Sequence, residues 1–151
     1  MFSLYLLLKY IHILAAITAV GSNITYAVWN IRSRIEPAHM SFALRGIKFL
    51  DDRVANPAYG VVLLSGLVMV IGGPGFAHVW IIAALILFAL LVAVAIAFYS
   101  PALRDQVKLA EAGDTSSDKF LTLERRAQVV GIGTLVIVLL ILVLMVFKPG
   151  S

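Results

Sequence analysis

The chain has 151 residues, 62% of them hydrophobic and 13% charged, with a formal charge of +4. So few charges cannot cover a water-soluble globule of this size, which excludes a soluble domain and points to a membrane protein. The absence of cysteine excludes disulfides and thiolate centres, and the basic residues lie in short connections between apolar runs, a topology signal and not a nucleic-acid-binding surface.

Met1-Phe2-Ser3 lacks the basic start and small-residue cleavage pattern of a signal peptide, so the first apolar run reads as a retained span. A bilayer core about 30 Å thick needs roughly 20 apolar residues in helix. Residues 4–29, 56–73, 77–99 and 127–147 meet that requirement, and none alternates as a β-barrel strand would. The expected fold is an all-α four-transmembrane-helix bundle, one domain over residues 1–151.

The first connection carries Arg32, Arg34, Arg45, Lys48 and Arg53. In it Met40, Ala43, Leu44, Ile47 and Leu50 recur at helical spacing, which predicts an amphipathic helix lying in the headgroup layer. Asp51 or Asp52 beside Arg53 reads as an interfacial ion pair, and Pro57 sits in the first turn of the second span, where a missing N–H costs little. Ser65-Gly66 makes a small notch in mid-membrane. The uncharged Gly72-Gly73-Pro74-Gly75 then turns the chain into a third span, whose Ala89, Ala93 and Ala97 have the spacing of close helix contact. A turn at Ala112–Ser117 follows, with Ser117 a candidate N-cap for the helix leading into the nearly aliphatic fourth span. Arg104, Lys108, Lys119, Arg125 and Arg126 in this third connection bring the basic residues on one side to ten of the chain's twelve. The positive-inside rule makes that side cytoplasmic and places both termini outside, as expected of a multi-pass protein of a bacterial inner membrane.

The first span holds the chemistry that stands out. Tyr5, Lys9, His12, Ala16, Ala19, Asn23, Tyr26 and Asn30 follow one another in alternating steps of four and three, a single helix face. Polar groups in hydrocarbon must face the bundle interior, so this seam is the candidate functional surface. It divides into an outer part, where His12 is the residue expected to carry chemistry and Lys9 reads as snorkelling to the interface, and an inner part, Asn23 to Asn30, where packing and interface anchoring suffice. His12 lies about 12 Å into the span at 1.5 Å per residue, and imidazole is a common ligand of haem iron, copper and zinc. His78, at the start of the third span, is the second candidate cofactor ligand. His39 lies in the first connection and cannot join them. No acid falls within the spans, which argues against an ion pump.

Leu8-Lys9-Tyr10-Ile11-His12 through Gly21, with Arg53, Pro57, Gly66 and Gly75-Phe76-Ala77-His78, resembles a group of small bacterial four-helix membrane proteins of unknown function. These are distantly similar to the oxygen-independent protoporphyrinogen oxidases and to the membrane domains of copper-resistance D proteins. In the oxidase branch the first-helix histidine is associated with haem, and a lysine stands two residues after the histidine that opens the third helix. Here that position is Trp80, which counts against that branch's activity. The resemblance implies haem b or a metal at His12, serving redox or haem-related chemistry. The competing reading is a non-enzymatic membrane subunit or scaffold whose seam packs helices or docks a partner. The expected partners are the bilayer and a homo-oligomer or larger membrane complex.

Overall fold

A computed structural model describes residues 3–150 as helices joined by short turns. In chain order they are α1 (Leu4–Ile35), a 3-10 turn (Pro37–His39), α2 (Met40–Leu50), a π-turn (Asp51–Ala55) and α3 (Asn56–Ile71). After the second connection come α4 (Val79–Val94), a second π-turn (Ala95–Tyr99), α5 (Ser100–Glu111) and α6 (Asp118–Phe147). The π-turns do not interrupt the helices that flank them. The molecule therefore contains four rods long and apolar enough to span a bilayer: Leu4–Ile35, Pro37–Ile71, Val79–Glu111 and Asp118–Phe147. It is an integral membrane four-helix bundle.

Each rod is longer than a bilayer requires. The 32 residues of α1 extend about 48 Å against a hydrocarbon core of about 30 Å. The surplus gathers at the end where the basic residues lie. There α2 packs on α1 and α5, and α5 packs on α6. Met40, Leu44, Ile47, Leu103, Val107, Ala110 and Phe120 bury one another in a helical cap outside the spans. Ion pairs from Arg34 to Glu124 at 2.9 Å and from Arg45 to Glu111 at 3.9 Å lace its surface.

The amphipathic α2 forms as its sequence predicts, but α5 and α1 cover the stripe read as facing lipid headgroups. Its exposed apolar side chains are Phe42 and Phe49, seven residues apart on the opposite side. A ready apolar partner in the same chain removes that stripe from water more completely than a headgroup layer does.

Within the membrane the rods form two pairs, α1 against α3 and α4 against α6. The α1–α3 pair is made by small residues, Ala15, Ala19 and Ser22 on one side and Ala58 and Ser65 on the other, all buried. On α4 the inward residues are Ile81, Ala84, Phe88 and Leu91. Ala89, Ala93 and Ala97 make no close helix contact within the chain, where all three are exposed. The wider Phe88 and Leu91 face buries more area against α6, and area decides the packing. Large aliphatic side chains such as Ile17, Leu64, Ile86 and Val136 remain exposed on all four rods, which gives the bundle the outer surface that a lipid solvent requires.

The ends follow local rules. Ser3 caps α1 by accepting the Leu6 N–H at 3.2 Å, and Ser117 caps α6 by accepting the Phe120 N–H at 3.1 Å, as its sequence position predicts. Hydrogen bonding from Ser117, its hydroxyl first and then its N–H, holds the exposed Asp114 carboxyl below the usual carboxylate range. Gly75 takes φ 66°, a left-handed conformation, and its N–H returns to the Val70 carbonyl at 2.8 Å to close α3.

Phe120 is fully buried in the cap, whereas Ile17 faces outward at 63% exposure. Phe120→Ala should lower unfolding stability in detergent by about 3–5 kcal/mol, and Ile17→Ala should leave it nearly unchanged. Thermal or denaturant unfolding followed by circular dichroism checks the contrast.

Candidate functional site

The polar seam of α1 meets α3 at His12 and Asn23. At the end away from the basic residues, the Tyr5 ring lies near Gly73. Two turns further in, His12 Nδ1 is 3.0 Å from Ser65 Oγ. The Ser65 hydroxyl already donates to the Val61 carbonyl, so His12 is the donor in this contact. This assigns the proton to Nδ1 and the lone pair to Nε2. Gly66 makes room for the ring, since a Cβ there would stand 3.1 Å from His12 Cε1. Towards the basic end, Asn23 Nδ2 donates to the Tyr59 hydroxyl at 2.7 Å, and Tyr26 reaches Asp51. Lys9 is exposed.

Beyond Asn23 the two helix pairs separate and leave a cavity of about 550 Å³. That volume falls among those of small-molecule sites. From α1 it is lined by Asn23, Tyr26, Asn30 and Arg34, whose steps of three and four keep them on one face. Tyr59, Gly60 and Leu63 line it from α3, Phe88, Leu91 and Val92 from α4, and Gln128, Gly131, Thr134 and Leu135 from α6. Ile31, Ile96 and Ile132 also line it while 58%, 67% and 57% exposed, so it opens sideways towards lipid.

The floor is built by the two π-turns. Each immediately precedes an X-Pro pair, Asn56-Pro57 and Ser100-Pro101. In a regular helix each proline ring would press on the carbonyl four residues back. The widened turn relieves this, with the Asn56 N–H reaching the Asp51 carbonyl and the Ser100 N–H reaching the Ala95 carbonyl. Asp51 is only 7% exposed. Its carboxyl meets the hydroxyls of Tyr26 and Ser100, each at 3.5 Å, longer than a good O–H···O bond. Tyr26 and Tyr99 stack with centroids 6.3 Å apart, and Tyr59 meets Phe88 edge-on at 6.1 Å. Arg34 is neutralised at the rim by Glu124 at 2.9 Å and by the Gln128 carbonyl at 3.1 Å.

His78 lies elsewhere. It precedes α4, which packs on α6, and its ring stacks on Trp80 at 6.3 Å, with Lys148 Nζ 5.7 Å from the Trp80 centroid. Among the described residues, no Cα of α1 comes within 8 Å of α4, and no group of three or more His, Cys, Asp or Glu residues could hold a metal ion. The structure thus sets His12 and His78 in separate environments, and neither lines the cavity.

A family model described as "Predicted integral membrane protein (DUF2269)" matches residues 6–149. The chain belongs to this family. No curated protein and no solved structure matches it. The family and the architecture agree on a multi-pass membrane protein, and the matched segment takes in the four rods but for Leu4 and Tyr5, with the cavity lining and both π-turns.

Asp51 is the residue that sequence reasoning placed differently. The interfacial ion pair is Lys48 to Asp52 at 2.6 Å, an i,i+4 pair on the exposed side of the helix. Asp51 instead continues the buried series Met40, Leu44, Ile47 in steps of four, three and four, and that register was the available signal. Replacing Asn23 by Ala and Tyr59 by Phe, singly and together, should give a coupling energy of about 0.6 kcal/mol and no more than about 1.7. A double-mutant cycle on unfolding measures it.

Proposed function

We propose that this protein holds a small lipophilic molecule inside the membrane, with its polar end on the Asp51 floor and its apolar body between the helix pairs. The supporting observation is the cavity itself, about 550 Å³ with mostly apolar walls, polar groups gathered at one end and a lipid-side opening. The reading covers a binding or carrier subunit as well as an enzyme acting on a membrane-soluble substrate. A bacterial inner membrane, with the basic cap in the cytoplasm, is the setting that fits the charge asymmetry.

Gly60 offers a direct test, because it lines the cavity and a Cβ placed on it meets nothing within 4 Å. Gly60→Phe should fill the space without disturbing the helices. Solvent extracts of the purified wild type, analysed by mass spectrometry, should contain a small molecule that the variant lacks. Identical extracts and identical thermal responses would remove this reading.

A second reading assigns haem b or a metal to His12. Its support is the tautomer: with Nδ1 bonded to Ser65, Nε2 is free to coordinate, the arrangement usual for a ligating histidine. The cavity lining contains no histidine, so such a group would sit on the His12 flank of the α1–α3 pair, against lipid or another subunit. This reading expects a Soret band or stoichiometric metal in the protein as isolated, lost in His12→Ala. Colourless, metal-free wild type would end it.

A further inference from the structure

The floor of the cavity has a composition that narrows the ligand. Asp51 is a buried carboxyl, and it is the one acidic side chain in the lining. The other ionic side chain in the lining, Arg34, is paired with Glu124. Among the described residues Asp51 forms no ion pair, since its neighbour Lys48 is held by Asp52 at 2.6 Å. An ionised carboxylate in such a place is costly unless a cation meets it, and otherwise it takes up a proton. Tyr26, Tyr59 and Tyr99 line the same cavity, and an aromatic ring attracts an organic cation that comes within about 6 Å of its face. One carboxylate and a few phenol oxygens are a poor donor set for a divalent metal, which takes six or more oxygens or several imidazoles. They suit an alkylammonium group well. The walls above the floor, with Leu63 and Leu91, suit an alkyl tail.

We infer that the cavity binds an amphiphile through an organic ammonium headgroup, with Asp51 as its counter-ion and Tyr26, Tyr59 and Tyr99 as its aromatic surround. This rests on the cavity reading above and adds the ligand's charge to it. The ammonium can come from a single-chain amine or from a zwitterionic lipid headgroup.

The test uses full-length protein in phosphatidylglycerol nanodiscs, with three probes of equal chain length: an alkyltrimethylammonium, its uncharged dimethylbutyl isostere and an alkylphosphocholine. Calorimetry against the Gly60→Phe protein in the same discs subtracts partitioning into lipid. The ammonium probe should bind the wild type at least about tenfold more tightly than the isostere. Asp51→Asn should abolish that preference, and Asp51→Glu should retain part of it. If the phosphocholine binds as well, the source is a lipid headgroup; if only the ammonium binds, it is a single-chain amine. Should Asp51→Asn fail to fold, the charge preference in Asp51→Glu decides the counter-ion, and Tyr99→Leu against Tyr99→Phe tests the aromatic half: a preference lost only in the former supports it, and one unchanged in both overturns it. Equal binding of charged and uncharged probes, blocked by Gly60→Phe, would overturn the ammonium assignment and leave the cavity reading standing. No difference between wild type and Gly60→Phe for any probe would overturn both.

Discussion

In the hydrocarbon of a bilayer no water is available to polar side chains, so each one on α1 must find its partner inside the protein. That requirement determines which helix lies beside α1. His12 is answered by Ser65 and Asn23 by Tyr59, both on the α2–α3 rod, and the small residues between them bring the two backbones close. No such obligation ties α1 to α4, and no Cα of one comes within 8 Å of the other. The separation of the two helix pairs, and hence the cavity, is the consequence of polar groups that are satisfied within one pair.

The π-turns modify this arrangement at one level of the molecule. Proline in a helix usually means a kink, but here a wider turn just ahead of each proline absorbs the steric conflict and lets the rod continue. Because the two turns belong to different helix pairs and lie at the same end, they bring Asp51 and Ser100 into contact across the gap. A cavity that would otherwise run through to the cap is thereby closed by a polar floor. π-turns carry unusual local geometry and recur at functional sites, and this pair does what such turns are suited to, which is to aim side chains that a regular helix would send elsewhere.

The four spans, the charge asymmetry, the seam on α1 and the cap at Ser117 were all legible in the sequence, because each is a property of one segment read against one period or one local rule. What escaped was relational. The α2 stripe was recognised as amphipathic, yet its partner α5 lies some fifty residues away in the chain, and nothing local distinguishes a protein partner from a headgroup layer. Asp51 and Asp52 are adjacent and chemically identical, and only the register set by Met40, Leu44 and Ile47 separates the buried one from the one paired with Lys48. On α4 the alanine series Ala89, Ala93, Ala97 offered close approach, but contact area on the Phe88 side prevailed. The cavity draws its lining from four helices, none of which shows it alone. As a result the inner part of the seam, legible only as packing, is the part that borders it.

The same tyrosines that line the cavity also belong to the cap. Tyr26 and Tyr99 pack in one apolar cluster with Met40, Leu44, Ile47 and Phe120, while their other surfaces face the space above Asp51. The floor is therefore a shared wall between a membrane-embedded pocket and a helical assembly outside the bilayer. Whatever occupies the pocket contacts side chains whose positions the cap also fixes, so occupancy and cap stability are thermodynamically linked. The linkage runs in both directions: a bound ligand raises the free energy needed to open the cap, and a tightly packed cap pre-positions the groups that meet the ligand. In a protein whose spans face mostly lipid, α2, α5 and the start of α6 supply the large buried core that holds the two helix pairs in register, and Asp51 lies where that core ends and the cavity begins.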